Sequence, residues 1–202
     1  MTAIIVMAKR PEIGKCKTRL AKNIGEELAF DVYNLLLSNT LCKVEELGYP
    51  VFLFLTGVGE MEIPESFEIR NQSDGNLGNR MRAAFQCVFD EGFQNIVMLG
   101  TDCYELNNNH IAKAKEYLEK DTDIVIGPSE DGGYYLVGMR GMYEIFDGID
   151  WSTPEVFKQS VAKIEEQHLS WTTLEELNDI DTLEDLRRST LRPNLPRLIR
   201  DI

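Results

Sequence analysis

Four short, unbroken apolar runs recur along the chain, each followed by polar or helical sequence: TAIIVMA (2–8), PVFLFLT (50–56), NIVMLGTD (95–102) and DIVIGPS (123–129). A strand wetted on one face alternates apolar and polar residues; a strand covered on both faces need not. Continuous strands alternating with helical stretches fit few architectures. They predict an α/β fold in three layers, α/β/α, with a mainly parallel, mixed sheet between two helical layers. Helices are expected over 25–47, 77–92 and 107–120, with Gly48 and Gly92 as stops. FEIRNQ (67–72) is a weaker strand. YYLVGM (134–139), just after Asp-Gly-Gly, is placed to pair antiparallel with a neighbour. Beyond residue 142 the patterns are mostly helical, and a polar, proline-containing tail occupies 190–202. No repeat or linker divides the sequence, so residues 1–202 are expected to form one domain.

In open α/β sheets, ligands bind beyond the carboxyl ends of the strands, and unusual stretches follow the first, fourth and fifth buried strands. Residues 9–22 (KRPEIGKCKTRLAK) hold six bases and one acid, leaving 15 bases and 33 acids elsewhere in a chain of formal charge −13. Pro11 and Gly14 shape a turn rather than a helix. Gly14 would let backbone N–H groups approach a phosphate, and Lys17 and Arg19 would add charge-assisted donors. A solvated loop is the other reading. NQSDGNLGNRM (71–81) has Gly75 and Gly78 in a polar loop before Arg80, suited either to wrapping a nucleotide or to plain turn chemistry. Asp102, ending a very apolar strand, can bind Mg²⁺ or Mn²⁺ or cap the next turn. Asp131-Gly132-Gly133-Tyr134 either receives a ligand or turns a hairpin into an edge strand. Asp179 and Asp181 precede a short helix, for which Asp181 is a ready N-cap.

Taken in order, AKRPEIGKCKTRLA, GNLGNRM, GTDCYEL, GPSEDGGYYLVG and DIDTLEDL resemble the GT-A-type nucleotide-diphospho-sugar transferase superfamily. Within it, the resemblance is to a bacterial family of assigned glycosyltransferases, some associated with arsenosugar biosynthesis. KCKTRLA and DGG also resemble 2-phospholactate guanylyltransferases. The resemblance implies a GT-A fold and a diphosphate site at Gly14, Lys15, Lys17, Thr18 and Arg19, with Lys9 among the nucleotide-binding residues. It also implies a nucleotide pocket at Gly75, Leu77, Gly78 and Arg80, metal ligands at Asp102 and Asp181, and an acceptor side at Asp131, Gly132, Gly133 and Tyr134. Two positions depart from related patterns. Met7-Ala8-Lys9-Arg10 stands where pyrophosphorylases carry a Gly-Gly-rich loop, and Leu183 stands where proline is usual.

The implied activity is metal-dependent glycosyl transfer from a nucleotide-diphospho-sugar to a small acceptor, with Lys17, Arg19 and Asp131 catalytic and Mg²⁺ or Mn²⁺ as cofactor. Nucleotidylyl transfer from a nucleoside triphosphate, and nucleotide binding without turnover, are the alternatives. The acidic balance argues against nucleic-acid binding. Four dispersed cysteines and two histidines make no zinc pattern. The opening apolar run is too short for a signal core or a membrane span, so reduced thiols and a cytoplasmic location are expected.

Overall fold

The structure, a computed structural model, describes residues 1–191; most of the polar tail lies outside the described residues. Seven strands form a single sheet: β1 (Thr2–Lys9), β2 (Val51–Thr56), β3 (Phe67–Asn71), β4 (Asn95–Leu99), β5 (Ile124–Pro128), β6 (Tyr134–Met139) and β7 (Trp171–Thr173). Their order is β3-β2-β1-β4-β6-β5-β7, and β6 alone runs against the rest. The expected α/β fold with a mainly parallel, mixed sheet is thus the observed one.

β1 shows why its sequence does not alternate. Ile4 and Val6 face one helical layer and Ala3 and Ile5 the other, all four fully buried. On the first side lie α2 (Glu26–Glu45), through Tyr33, Leu37 and Leu41, and α4 (Asn108–Glu119), through Ile111, Ala114 and Leu118. On the second lie α3 (Leu77–Asp90), through Met81, Phe85 and Val88, and α5 (Val156–Glu166), through Ile164. A third cluster joins α1 (Thr18–Ile24), the outer face of α2 and α6 (Leu183–Arg188) through Leu20, Val32, Leu36, Ile180 and Leu186.

Three expectations are corrected. The basic stretch read as a turn carries a helix of its own, α1, joined at Gly25 (φ 87°) to α2, which fills the helix expected over 25–47. Thr18, Arg19 and Lys22 therefore lie on α1, not in a turn. β6 is an interior strand, not an edge strand, because β4 and β5 flank it. Trp171–Thr173 adds a strand, β7, to a region read as mostly helical. All four cysteines are free. Among the described residues, no helix is long and apolar enough to cross a membrane.

Candidate active site

Beyond the carboxyl ends of β1 and β4 opens a cleft of about 710 Å³. The basic loop enters it through one residue above all. Lys17 sits in the left-handed region (φ 47°, ψ 47°) just before α1, a conformation that costs a non-glycine residue about 1–2 kcal/mol. Its side chain is only 3% exposed, with Nζ 2.6 Å from Asp102 Oδ1 and 2.9 Å from Asp181 Oδ1. Burial alone would lower the pKa of this ammonium, but Asp102 and Asp181 overcome that and raise it. Arg19 stays exposed, with Nη1 3.9 Å from Asp181 Oδ2.

The two carboxylates are held from behind. The Asp102 carbonyl accepts a hydrogen bond from Ile180 N at 2.9 Å, tying the loop after β4 to the segment before α6. Asp181 is not the helix cap. That place belongs to Thr182, whose Oγ1 accepts from Asp185 N, while Asp185 Oδ2 accepts from Asp181 N (3.2 Å) and Thr182 N (2.7 Å). The Asp181 carboxylate is thereby left to the cleft. Asp102 likewise spends its side chain on Lys17 rather than on a turn.

Asp131, in the β5–β6 turn, shares the cleft. Its Oδ1 accepts from Ser129 Oγ at 2.6 Å and Gly133 N at 2.9 Å, fixing the carboxylate and leaving its second oxygen outside both bonds. Asp179, given no role by sequence, is a half-buried member of the same cluster. Its Oδ1 has no hydrogen-bond partner. Burial, then the nearby charges of Asp102 and Asp131, push its pKa up to about 8. The only signal in the sequence was its spacing two residues before Asp181.

Among the described residues, no three His, Cys, Asp or Glu side chains already converge as a metal cage. The donor chemistry nonetheless fits Mg²⁺ or Mn²⁺: Asp102 and Asp181 are hard oxygen donors, and in the same cluster Asp179 Oδ1 is buried without a hydrogen-bond partner.

The remaining expected residues divide by position. Lys9, Lys15, Leu77, Arg80, Gly133 and Tyr134 line the cleft. Lys15 Nζ pairs with Glu12 at 2.8 Å, and Lys9 Nζ donates to the Lys15 carbonyl at 2.9 Å, so both charges are partly spent within the loop. Gly14, Thr18, Gly75, Gly78 and Gly132 do not line it. A side chain at Gly75 would strike Asn79, which forms the capping box of α3 with Asn76. Gly78 makes room for the Phe146 carbonyl and the Trp151 ring, and Gly132 for the Pro154 backbone. These glycines shape the walls through packing.

Gln72 was missed. Its amide donates to the Ala8 and Phe54 carbonyls, each at 3.0 Å, and its oxygen accepts from Arg80 at 3.4 Å, bracing that arginine against the sheet. Besides the acids, the cleft has apolar lining from Leu77, Met81, Met98 and Trp151. A ligand with a charged end and a flat or apolar body matches such a cleft.

A sequence profile of the bacterial family described as "Uncharacterized protein conserved in bacteria (DUF2064)" matches residues 48–153. The solved structure of a protein from Desulfovibrio desulfuricans G20, provisionally named a nucleotide-diphospho-sugar transferase, is 31% identical. The match covers 99% of this chain and 97% of that one, with a TM-score of 0.86. Two more distant structures share the fold. One is Rv0371c of Mycobacterium tuberculosis H37Rv in complex with manganese (15% identity, 93% and 96% covered, TM-score 0.55). The other is CMP:2-keto-3-deoxy-manno-octonic acid synthetase in complex with CTP (10%, 92% and 95%, TM-score 0.57). Comparison with curated proteins gives no match.

Proposed function

The chain belongs to the bacterial DUF2064 family, and we propose that it is a metal-dependent transferase that moves a sugar from a nucleotide-diphospho-sugar to a small acceptor. The observation that carries this reading is the meeting of Lys17, Asp102 and Asp181 in a cleft that is also lined by Leu77, Met81 and Trp151. The diphosphate lies at the charged end, where Lys17 and Arg19 offset the negative charge that grows as the glycosidic bond breaks. Asp102 and Asp181 would hold a divalent cation, with Asp179 in the same cluster, and that ion would supply Lewis-acid stabilisation of the departing diphosphate. Leu77, Met81 and Trp151 exclude water from the body of the ligand. Arg80, braced by Gln72, fixes its nucleotide end. Asp131, immobilised through one oxygen, takes the proton of the acceptor hydroxyl on the other.

Products test this. Release of a nucleoside diphosphate from a sugar nucleotide supports glycosyl transfer. The synthetase with CTP bound favours a second reading, nucleotidylyl transfer, for which pyrophosphate would leave a nucleoside triphosphate. Asp102→Asn should lose metal-supported nucleotide binding while keeping the wild-type fold; unchanged metal dependence in calorimetric titration rejects its role.

A further inference from the structure

We propose that Lys17 is a resident cation that keeps divalent metal off the Asp102–Asp181 pair until a polyphosphate ligand draws it away, so that metal and nucleotide bind with positive coupling. This rests on the reading that the cleft takes a diphosphate. The geometry supplies the rest. Lys17 Nζ lies 2.6 Å from one carboxylate oxygen and 2.9 Å from the other. A divalent ion bonded to either of those oxygens at about 2.1 Å would stand within about 5 Å of the ammonium. Two cations that close repel each other, so Lys17 on the pair weakens the hold of a metal there, and the metal that of Lys17.

The two partners differ in how they can move. Asp102 and Asp181 are anchored by their own backbones, through the Ile180 N–H and the Asp185 carboxylate respectively. Lys17 reaches them from a loop residue with positive φ, on a flexible four-carbon stem. A phosphate entering beside Arg19 offers that ammonium a stronger anion than two half-exposed carboxylates. Once it swings to the phosphate, both Oδ1 atoms are free, and the metal can bridge protein and ligand. Thermodynamic linkage makes the effect reciprocal: metal must tighten polyphosphate binding by the factor with which polyphosphate tightens metal binding.

The test has two arms, neither of which reads turnover. In the first, Mn²⁺ is titrated by electron paramagnetic resonance into wild type, Lys17→Met and Lys17→Gln with no phosphate present, folding being checked by circular dichroism. Removing the positive charge should tighten Mn²⁺ binding about tenfold or more, and adding Asp102→Asn should abolish the gain. In the second arm, labelled pyrophosphate is titrated into wild type and Lys17→Met with and without Mn²⁺. Wild type should show stronger coupling than Lys17→Met. Equal or weaker Mn²⁺ binding by the folded variants overturns the proposal, as does wild-type pyrophosphate binding indifferent to Mn²⁺. Neither arm uses a sugar nucleotide, so a failure of glycosyl transfer is read separately.

Discussion

Gly132 in the turn between β5 and β6 supports a prediction whose size can be worked out. Its φ is +88°, and a Cβ there would lie 2.2 Å from the Pro154 carbonyl oxygen, 2.6 Å from Pro154 Cα and 2.7 Å from its carbonyl carbon. All three are backbone atoms, so no rotamer change relieves the contact. Gly92 makes a matched control: its φ is +89°, and a methyl group there would find nothing within 4 Å. Alanine at either site bears the left-handed penalty of about 1–2 kcal/mol. Only Gly132→Ala adds the overpacking penalty of about 1–3 kcal/mol. It must also push the 150–155 loop away, straining the 2.8 Å bond from Phe157 N to the Gly132 carbonyl, worth about 1 kcal/mol. Gly132→Ala should therefore lose about 3–6 kcal/mol. At roughly 2–4 °C per kcal/mol for a chain of this size, that is on the order of 10 °C in Tm, against about 4 °C for Gly92→Ala. Calorimetric melting of the two variants, with urea titrations alongside, measures the difference. Equal losses would show that the Pro154 contact is not held in solution, and the account of this cleft wall would fail.

Two further outcomes follow from neighbouring groups. Asp123 accepts from Ser170 N (2.9 Å), Ser170 Oγ (2.7 Å) and the Tyr143 hydroxyl (2.9 Å); burial opposes its ionisation, but these bonds and Arg140 hold its pKa below the ordinary value. A depressed folded pKa contributes stability above the unfolded value of about 4 and loses it as pH falls through the folded one. Asp123→Asn should thus cost about 1–2 kcal/mol near neutral pH, a deficit that shrinks below about pH 4; a pH-independent deficit in urea titrations contradicts this. Ser129→Ala removes the 2.6 Å bond that orients Asp131 and should slow transfer about tenfold through misplacement, with substrate affinity little changed. An unaltered rate would mean that Ser129 does not position Asp131 for the reaction.

What could be read from sequence depended on how local each feature is. β1, β2, β4 and β5 announced themselves because interior parallel strands are apolar on both faces, and β6 was located to the residue by the turn before it. β7 was hidden by its three-residue length and partial exposure. α1 was hidden because Pro11 and Gly14 mark the basic stretch as a turn and give no sign of the helix that follows Lys17. In the site, the cluster of bases was visible as composition and Lys17 and Arg19 stood out together, but that Lys17 alone is buried was not visible. Lys17 is held there by two carboxylates, one of them 164 positions away in the chain. Asp179 was missed because its unusual state comes from burial, and Gln72 because its amide is used against strand carbonyls that only the folded sheet brings together.

The long reach of that ion pair has a consequence for how the protein comes apart. The segment bearing Asp179 and Asp181 is fastened to the sheet by the three-residue β7, the isolated Ser129–Leu177 bridge, and single bonds such as Ile180 N to the Asp102 carbonyl. The remaining strands form a sheet that does not depend on it. Opening of this segment must uncover Ile180 and Leu186 from the third cluster but is still a smaller event than global unfolding, and it removes half of the acidic cluster and leaves Lys17 with one carboxylate. Inactivation should therefore precede melting on heating, and slowed amide exchange at Ile180 should report ligand binding before any change in the central strands does.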